Sequence, residues 1–400
     1  MVKFLHTADW HLGLKYTQLG PNADKARKIR IKTCEKLIIA AKNEDVDFII
    51  IAGDLFDSND VDRQLIAVVS KIFAEASTIP IFILPGNHDP LTKDSLYLDP
   101  TWETLDNVTI FQESEPFRID YLGTTLYPCP ITQKQSNIDF TEWISAQDNE
   151  ISVGIAHGNL QIEGFIQEPN FPIAPDRVEK SGLNYLALGE WHSLFPLDNV
   201  PMRNTIYPGT PETTKFGEEN SGKAVIVEID NPNTEPSVKT IDVGTLSWQK
   251  QEKQVNNLED VQNLKSELES LTNPSDTAIK MTINGVVDQE VYNHLDLLQE
   301  EYSSQLMLLK LNKDSLYLKP NLLELKALLP EGTIINQTFE SLTALMKFYP
   351  RIQEYSDINS QRAEEIFSEI KDLESVQNIN PEVLNQAFLT LYQMTKEASG

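Results

Sequence analysis

Asp9 and His11 stand two apart, Asp54 follows Gly53, Asn87-His88-Asp89 follows Gly86, His157 lies between Ala156 and Gly158, and Glu190 and His192 flank Trp191. The chain has six histidines, and four of them fall in these five short segments. Carboxylate, imidazole and amide oxygens are hard-to-borderline donors, which suit Mn²⁺, Fe²⁺ or Zn²⁺ better than Cu⁺ or an iron–sulfur cluster. Asp9 and His11 on an extended turn point into one pocket. Asp54 has two oxygens with which to bridge two cations, and Asn87 has a carbonyl oxygen to donate. Two cations about 3.5–4 Å apart clamp a phosphoryl group and turn a bridging water into a hydroxide that attacks phosphorus in line. His88 follows a ligand directly and is free to protonate or polarise the leaving oxygen, with Asp89 placed to orient it.

Each segment taken alone is an ordinary turn or cap. Their shared placement argues for one site, because each follows an apolar, β-branched run that reads as a strand. Catalytic groups of α/β sheets collect at the carboxyl ends of strands. Val2 to Ala8, Phe48 to Ala52 and Ile81 to Leu84 read as buried strands, separated by helices over Asp24 to Asn43 and Asp62 to Ala76. This β-α-β-α-β opening predicts a parallel, helix-covered sheet. Val108 to Cys129 reads as shorter strands. Ser152 to Ala156 and Tyr185 to Leu188 are strand-like, each leading into a histidine segment, and Ala224 to Ile229 and Val238 to Val243 close the first domain.

A boundary falls near Gly244. From Leu246 to Leu318 the pattern is strand, helix, strand, helix, strand, with helices Leu258 to Leu271 and Gln289 to Tyr302 and strand-like Met281 to Ile283 and Leu306 to Leu311. After Pro320 the chain turns helical, punctuated by Pro330, Pro350 and Pro381. The domains expected are therefore 1–245, 246–320 and 321–400.

The chain has 400 residues and a net charge of −27, from 33 Lys and Arg against 60 Asp and Glu. That length predicts two or three domains. The charge argues against tight unaided binding to a polyanion, though not against phosphodiester chemistry. No apolar run is long enough for a membrane span. The two cysteines give no disulfide framework and no signal peptide is read, so a cytoplasmic protein is expected.

The longer matches narrow the reading. His6-Thr7-Ala8-Asp9-Trp10-His11-Leu12-Gly13, Ala52-Gly53-Asp54-Leu55-Phe56-Asp57 and Leu84-Pro85-Gly86-Asn87-His88-Asp89 resemble the calcineurin-like metallophosphoesterase superfamily, and within it the SbcD-type DNA repair exonucleases, including their YhaO-like branch. Tyr207-Pro208-Gly209-Thr210-Pro211-Glu212 resembles the Tyr-Ser-Gly-Ser-Pro loop of that group. The resemblance implies a metallophosphoesterase β-sandwich flanked by helices, a small α/β capping domain and a helical C-terminal tail. It implies a first metal on Asp9, His11, Asp54 and His192, a second on Asp54, Asn87, His157 and position 190, and a transition-state role for His88. The metals it implies are most plainly Mn²⁺, with Fe²⁺ or Mg²⁺ as alternatives. Where the family has the first histidine of Gly-His-x-His, this chain has Glu190. That residue either supplies a harder, more anionic ligand or stands at a strand end facing solvent.

The resemblance also implies DNA ends or distorted duplex as substrate, a homodimer, and an SbcC-type SMC-like ATPase as partner. A small-molecule phosphoesterase and a non-catalytic subunit of an ATPase complex remain the alternatives. Lys25, Arg27, Lys28, Arg30 and Lys32 form either a phosphate-contacting face or the solvated side of a helix. Lys215 and Arg203 lie near the Pro-Gly-Thr-Pro loop, which is either a phosphate contact or a plain turn. Leu384, Ala387, Phe388 and Leu391 share a face of the last helix, which either docks on the partner or packs on its own domain. His6 is expected in the core beneath the site, and His294 at the surface.

Overall fold

The computed structural model describes residues 1–147, 149–162, 170–196, 204–319, 333–348, 360–370, 383–384, 387–392 and 394. The chain divides into two compact units, 1–249 with 276–278 and 250–275 with 279–400. Arg203, Pro320, Pro330, Pro350 and Pro381 lie outside the described residues.

In the first unit the strands and helices run β1 (Val2–Thr7), α1 (Ala23–Asn43), β2 (Phe48–Ala52), α2 (Arg63–Glu75), β3 (Ile81–Leu84), β4 (Val108–Ile110), β5 (Phe117–Ile119), β6 (Thr124–Pro128), β7 (Ile151–His157), β8 (Asn159–Leu160), β9 (Pro172–Ile173), α3 (Arg177–Ser181), β10 (Tyr185–Gly189), β11 (Thr205–Ile206), β12 (Lys223–Ile229) and β13 (Ser237–Asp242). Two large sheets result, ordered β13-β12-β1-β2-β3-β4 and β11-β10-β7-β6-β5, and β8 pairs with β9 as a small third. β1 to β4 are parallel, as are β6, β7, β10 and β11, while β12 and β13 join antiparallel.

The alternation of side chains builds the layers. Phe4, Phe48, Ile50, Phe82 and Leu84 turn inward to meet Val153, Ile155, Tyr185 and Ala187 of the other sheet. Leu5, Ile49, Ile51, Ile81 and Ile83 turn outward beneath Leu37, Ile38, Val69 and Phe73 of α1 and α2. Because both faces are covered, β2 is apolar along its whole length, as strands of covered parallel sheets are. The result is the expected β-sandwich flanked by helices.

The second unit carries most of β14 (Ser247–Gln254), then α4 (Leu258–Glu269), β15 (Thr277–Val287), α5 (Gln289–Ser303) and β16 (Leu308–Leu318), with sheet order β14-β15-β16. Val261, Leu264 and Leu268 of α4 and Val291, Leu295 and Leu298 of α5 pack on Ile279, Met281, Ile283 and Leu309. Helices also cover Ile334–Phe348 and Ser360–Ile370. Leu384 and Phe388 of the tail pack on Val286, Phe339 and Leu345 of the same unit, with Leu391 against them. Leu384, Phe388 and Leu391 of the face that the sequence offered to a partner thus pack within this unit, while Ala387 is exposed.

The basic cluster of α1 is also largely engaged. Arg30 is buried, bonding Tyr16 Oη at 2.8 Å and the Trp10 and Glu212 carbonyls. Arg27 bonds Asp24 and the Lys15 carbonyl, and Lys25 pairs with Asp276 at 2.9 Å. Lys28 and Lys32 lie further round the same helix, and both are exposed.

Candidate metal centre

All five segments leave the carboxyl ends of strands, β1, β2 and β3 in one sheet and β7 and β10 in the other. The loops after β1 and β2 are stitched together by Asp9 N to Gly53 O at 3.1 Å, His11 N to Asp54 O at 3.0 Å and Leu12 N to Leu55 O at 3.0 Å. The second sheet adds Gly158 N to Gly189 O at 3.1 Å. Asp9, His11, Asp54 and Glu190 have φ of 54°, 40°, 52° and 111°. Side-chain-bearing residues seldom adopt such φ, and backbone strain of this kind concentrates at functional sites. Two glycines make room. A Cβ on Gly53 would lie 2.1 Å from His157 Nδ1, and one on Gly86 2.1 Å from Asp54 Oδ1.

The groups converge as two sets in the pocket, and His11, Asp57 and His88 form a third at its mouth. Donor atoms of Asp9, His11 and His192 lie within 4.8 Å of one another, as do those of Asp9, Asp54 and His157. Asp54 Oδ2 is 3.7 Å from His11 Nε2 and 3.4 Å from His157 Nε2, so it stands between the sets. Glu190 reaches the second set: its Oε2 lies 3.1 Å from His157 Nε2 and accepts from Asn87 Nδ2 at 2.9 Å. Its backbone N–H donates to Asp9 at 3.1 Å.

These donors suit a cation. His157 Nδ1 lies 2.9 Å from the Ala52 carbonyl, which only accepts, so Nδ1 carries a proton and Nε2 faces two carboxylates. His192 Nδ1 lies 2.6 Å from Glu218 Oε1, and its Nε2 faces His11 Nε2 at 2.9 Å. Asn87 Oδ1 is buried without a hydrogen-bond partner among the described residues. Lone pairs converging at such distances require positive charge between them, whether a proton or a metal ion.

The protonation equilibria of the bare site report the same demand. Burial pushes Asp9 up to about 7 and His11 down to about 4. Burial alone would raise Asp54, but the neighbouring imidazoles, His157 foremost, hold it well below the carboxylate range. Burial would likewise lower His157, yet Asp54 and Glu190 drive it well above its ordinary value. A proton on His157 Nε2 stands where a cation would.

His88 is exposed at the mouth, its ring 4.7 Å from that of His11. Its backbone N–H donates to Asp54 Oδ1 at 2.9 Å. Asp89 does not orient it, which corrects the sequence expectation. The Asp89 carboxylate turns inward and accepts from Phe56 N at 2.8 Å, Gly86 N at 2.8 Å and Tyr97 Oη at 2.6 Å. It braces the loop, and the partner of His88 Nδ1 is the Asp57 carbonyl at 3.0 Å. Sequence reasoning passed over Asp57, although it closes a quoted motif, and over Glu218, which lies 26 residues beyond His192 with no local signal. His6 is buried beneath the site, 3.0 Å from Tyr185 Oη, and burial depresses it to about 3. His294 is exposed on α5.

A pocket of this kind, lined by metal-ligating groups at the strand ends of a helix-flanked sandwich, has its counterpart among known proteins. The sequence profile of the calcineurin-like phosphoesterases matches residues 2–226, and the chain belongs to that family. It is a metallophosphoesterase, and hence a hydrolase.

The chain is 25% identical over 248 residues to the uncharacterized metallophosphoesterase YhaO of Bacillus subtilis, covering 57% of each chain. It is 24% identical over 259 residues to the D subunit of the SbcCD nuclease of Staphylococcus epidermidis, covering 58% of this chain and 67% of that one. The match thus spans little more than half the length of the YhaO relative. Among solved structures, TT1561 of Thermus thermophilus is similar at a TM-score of 0.38 and 11% identity, over 60% of this chain and 99% of that one. No helix among the described residues is long and apolar enough to cross a membrane.

Proposed function

We propose that the chain is a two-metal phosphodiesterase acting on DNA ends, an SbcD-like exonuclease of DNA repair. The observation that carries the chemistry is the convergence of Asp9, His11, Asp54, Asn87, His157, Glu190 and His192 on two adjoining points. Asp9, His11 and His192 would hold one cation and Asn87, His157 and Glu190 the other, with Asp54 shared. When bound, the pair supplies charge to the phosphoryl oxygens and acidifies the attacking water.

The chain's own residues then do the rest. His88 Nδ1 donates to the Asp57 carbonyl, which leaves Nε2 as the nitrogen that faces substrate. In its protonated form that nitrogen gives its proton to the departing oxygen as the P–O bond breaks. Asp54 accepts the His88 backbone N–H, so one residue ties the acid to the cation pair.

DNA as substrate, a homodimer and an SMC-like ATPase partner in the cytoplasm belong to this reading. The relative named as the D subunit of a nuclease supports the nuclease and its partner. Segment 246–320 would act as the cap and 321–400 as the accessory region. The net charge of −27 favours a second reading, a phosphoesterase for small molecules.

One comparison tests both. The Mn²⁺-loaded chain is given end-labelled linear duplex, a model diester and a model monoester, with and without an SMC-like ATPase. Cleavage of duplex and diester is expected. Strong monoester turnover with intact DNA would decide for the small-molecule enzyme.

A further inference from the structure

His11 and His192 present Nε2 to one another at 2.9 Å, and each turns its far nitrogen onto a carboxylate. His192 Nδ1 lies 2.6 Å from Glu218 Oε1, and His11 Nδ1 3.4 Å from Asp57 Oδ1. Glu218 is itself held: its Oε2 accepts from Thr214 N at 2.6 Å and Lys215 N at 3.3 Å, and its Oε1 from the Thr214 hydroxyl. Asp57 is anchored through its backbone, N to Leu12 O at 3.0 Å. An ionised carboxylate only accepts, so His192 Nδ1 carries the proton and its Nε2 the lone pair, while His11 Nδ1 stands near Asp57 without a hydrogen bond among the described residues. A carboxylate behind an imidazole locks the ring and raises the basicity of its other nitrogen. His157 is backed differently, by the Ala52 main-chain carbonyl at 2.9 Å.

Resting on the metal-centre reading, we propose that Glu218 and Asp57 are positioning residues for the first cation alone, and that Glu218 is the stronger of the two. It is 5% exposed against 27% for Asp57, and its contact is shorter. Both act through the imidazoles they face. They set which nitrogen of His192 and His11 is available and where it points. The second set has no such side-chain backing and serves as the internal control.

The full metal-free chain is titrated with Mn²⁺ by calorimetry, with free Mn²⁺ followed by electron paramagnetic resonance. The wild type is expected to bind two ions. Glu218→Gln keeps the shape and removes the charge. It should weaken one step by about 10–100-fold, the range for lost outer partners of metal ligands, and leave the other step unchanged. Asp57→Asn should weaken the same step by less. Thr214→Val, which removes one of the bonds that hold Glu218, should weaken the same step by less than Glu218→Gln does.

Two unchanged steps in Glu218→Gln, equal weakening of both, or a Thr214→Val effect as large as that of Glu218→Gln would each overturn the proposal while leaving the metal centre standing. A wild type that takes up no Mn²⁺ overturns the metal-centre reading and this one with it. Should Glu218→Gln not fold, Asp57→Asn carries the same test from the other imidazole: an unchanged first step there overturns the proposal.

Discussion

The Asp9–His11–His192 set and the Asn87–His157–Glu190 set share a pocket but are built by different rules. The first offers two imidazoles, each backed by a carboxylate. The second offers one imidazole backed by a main-chain carbonyl, a carboxylate and an amide oxygen. Nitrogen-rich sets favour Fe²⁺ and Zn²⁺ more than oxygen-rich ones do, and oxygen donors suit Mn²⁺ and Mg²⁺. The lesson is that a binuclear site can be made unequal by one substitution. With Glu190 as a ligand where the resemblance expects a histidine, the second position would be the harder of the two.

Removing what the sets share should have the largest effect. Asp54→Ala is expected to lower affinity at both positions and cut diester turnover about 10³-fold or more, since several kcal/mol of transition-state stabilisation goes with the metals. Two ions bound with near-normal turnover would refute its shared place. His88→Asn comes next: turnover should fall by about 10²–10⁴-fold while Mn²⁺ stoichiometry holds. A normal rate would remove His88 from the acid role.

Glu190→Ala sharpens the contrast itself. Calorimetry should show only the second step weakened, and Glu190→His should shift that step toward Zn²⁺ over Mn²⁺. The smallest effect is that of pH. Asp9, raised to about 7 by burial, keeps its proton at pH 6 in the metal-free chain, and a cation must displace it. Affinity should therefore climb by about tenfold or more per pH unit up to 7, and keep rising above 7 while His157 gives up its proton. His157, raised by its Asp54 and Glu190 neighbours, acts in the same direction. His11, lowered to about 4, does not compete. A flat profile from pH 5 to 7 would mean that Asp9 is already ionised.

The parallel strands were legible to within a residue or two because their two covered faces leave no polar interruption: Phe48–Ala52 and Ile81–Leu84 match the sequence reading. The strand-helix-strand-helix-strand order of the three-stranded sheet was legible too, but the extents of its strands were not. β14, Ser-Trp-Gln-Lys-Gln-Glu-Lys-Gln, offers almost nothing to a hydropathy pattern and exists because β15 pairs with it. β15 extends over Thr277–Val287, well beyond the Met281 to Ile283 read from sequence, since Lys280, Thr282 and Asn284 fall on its less covered face.

At the site, the five segments were singled out by residue type and strand-end placement, the resemblance supplied the seven ligand candidates, and those seven side chains lie together. Direction was beyond them. Asp89 sits next to His88 in the chain yet faces Tyr97, and the role expected of it falls to Asp57, thirty-one residues upstream of His88. Adjacency along a tight turn does not decide which way a carboxylate points. The hydrogen bonds of the loop do.

The ligands are divided between the two sheets, Asp9, His11, Asp54 and Asn87 on one and His157, Glu190 and His192 on the other. Any ion gripped by both is a rivet through the sandwich, and every kilocalorie of its binding resists the sheets' parting. Starving the protein of metal would then shorten its lifetime against heat and proteases as well as silence it, and refilling the pocket would restore both together.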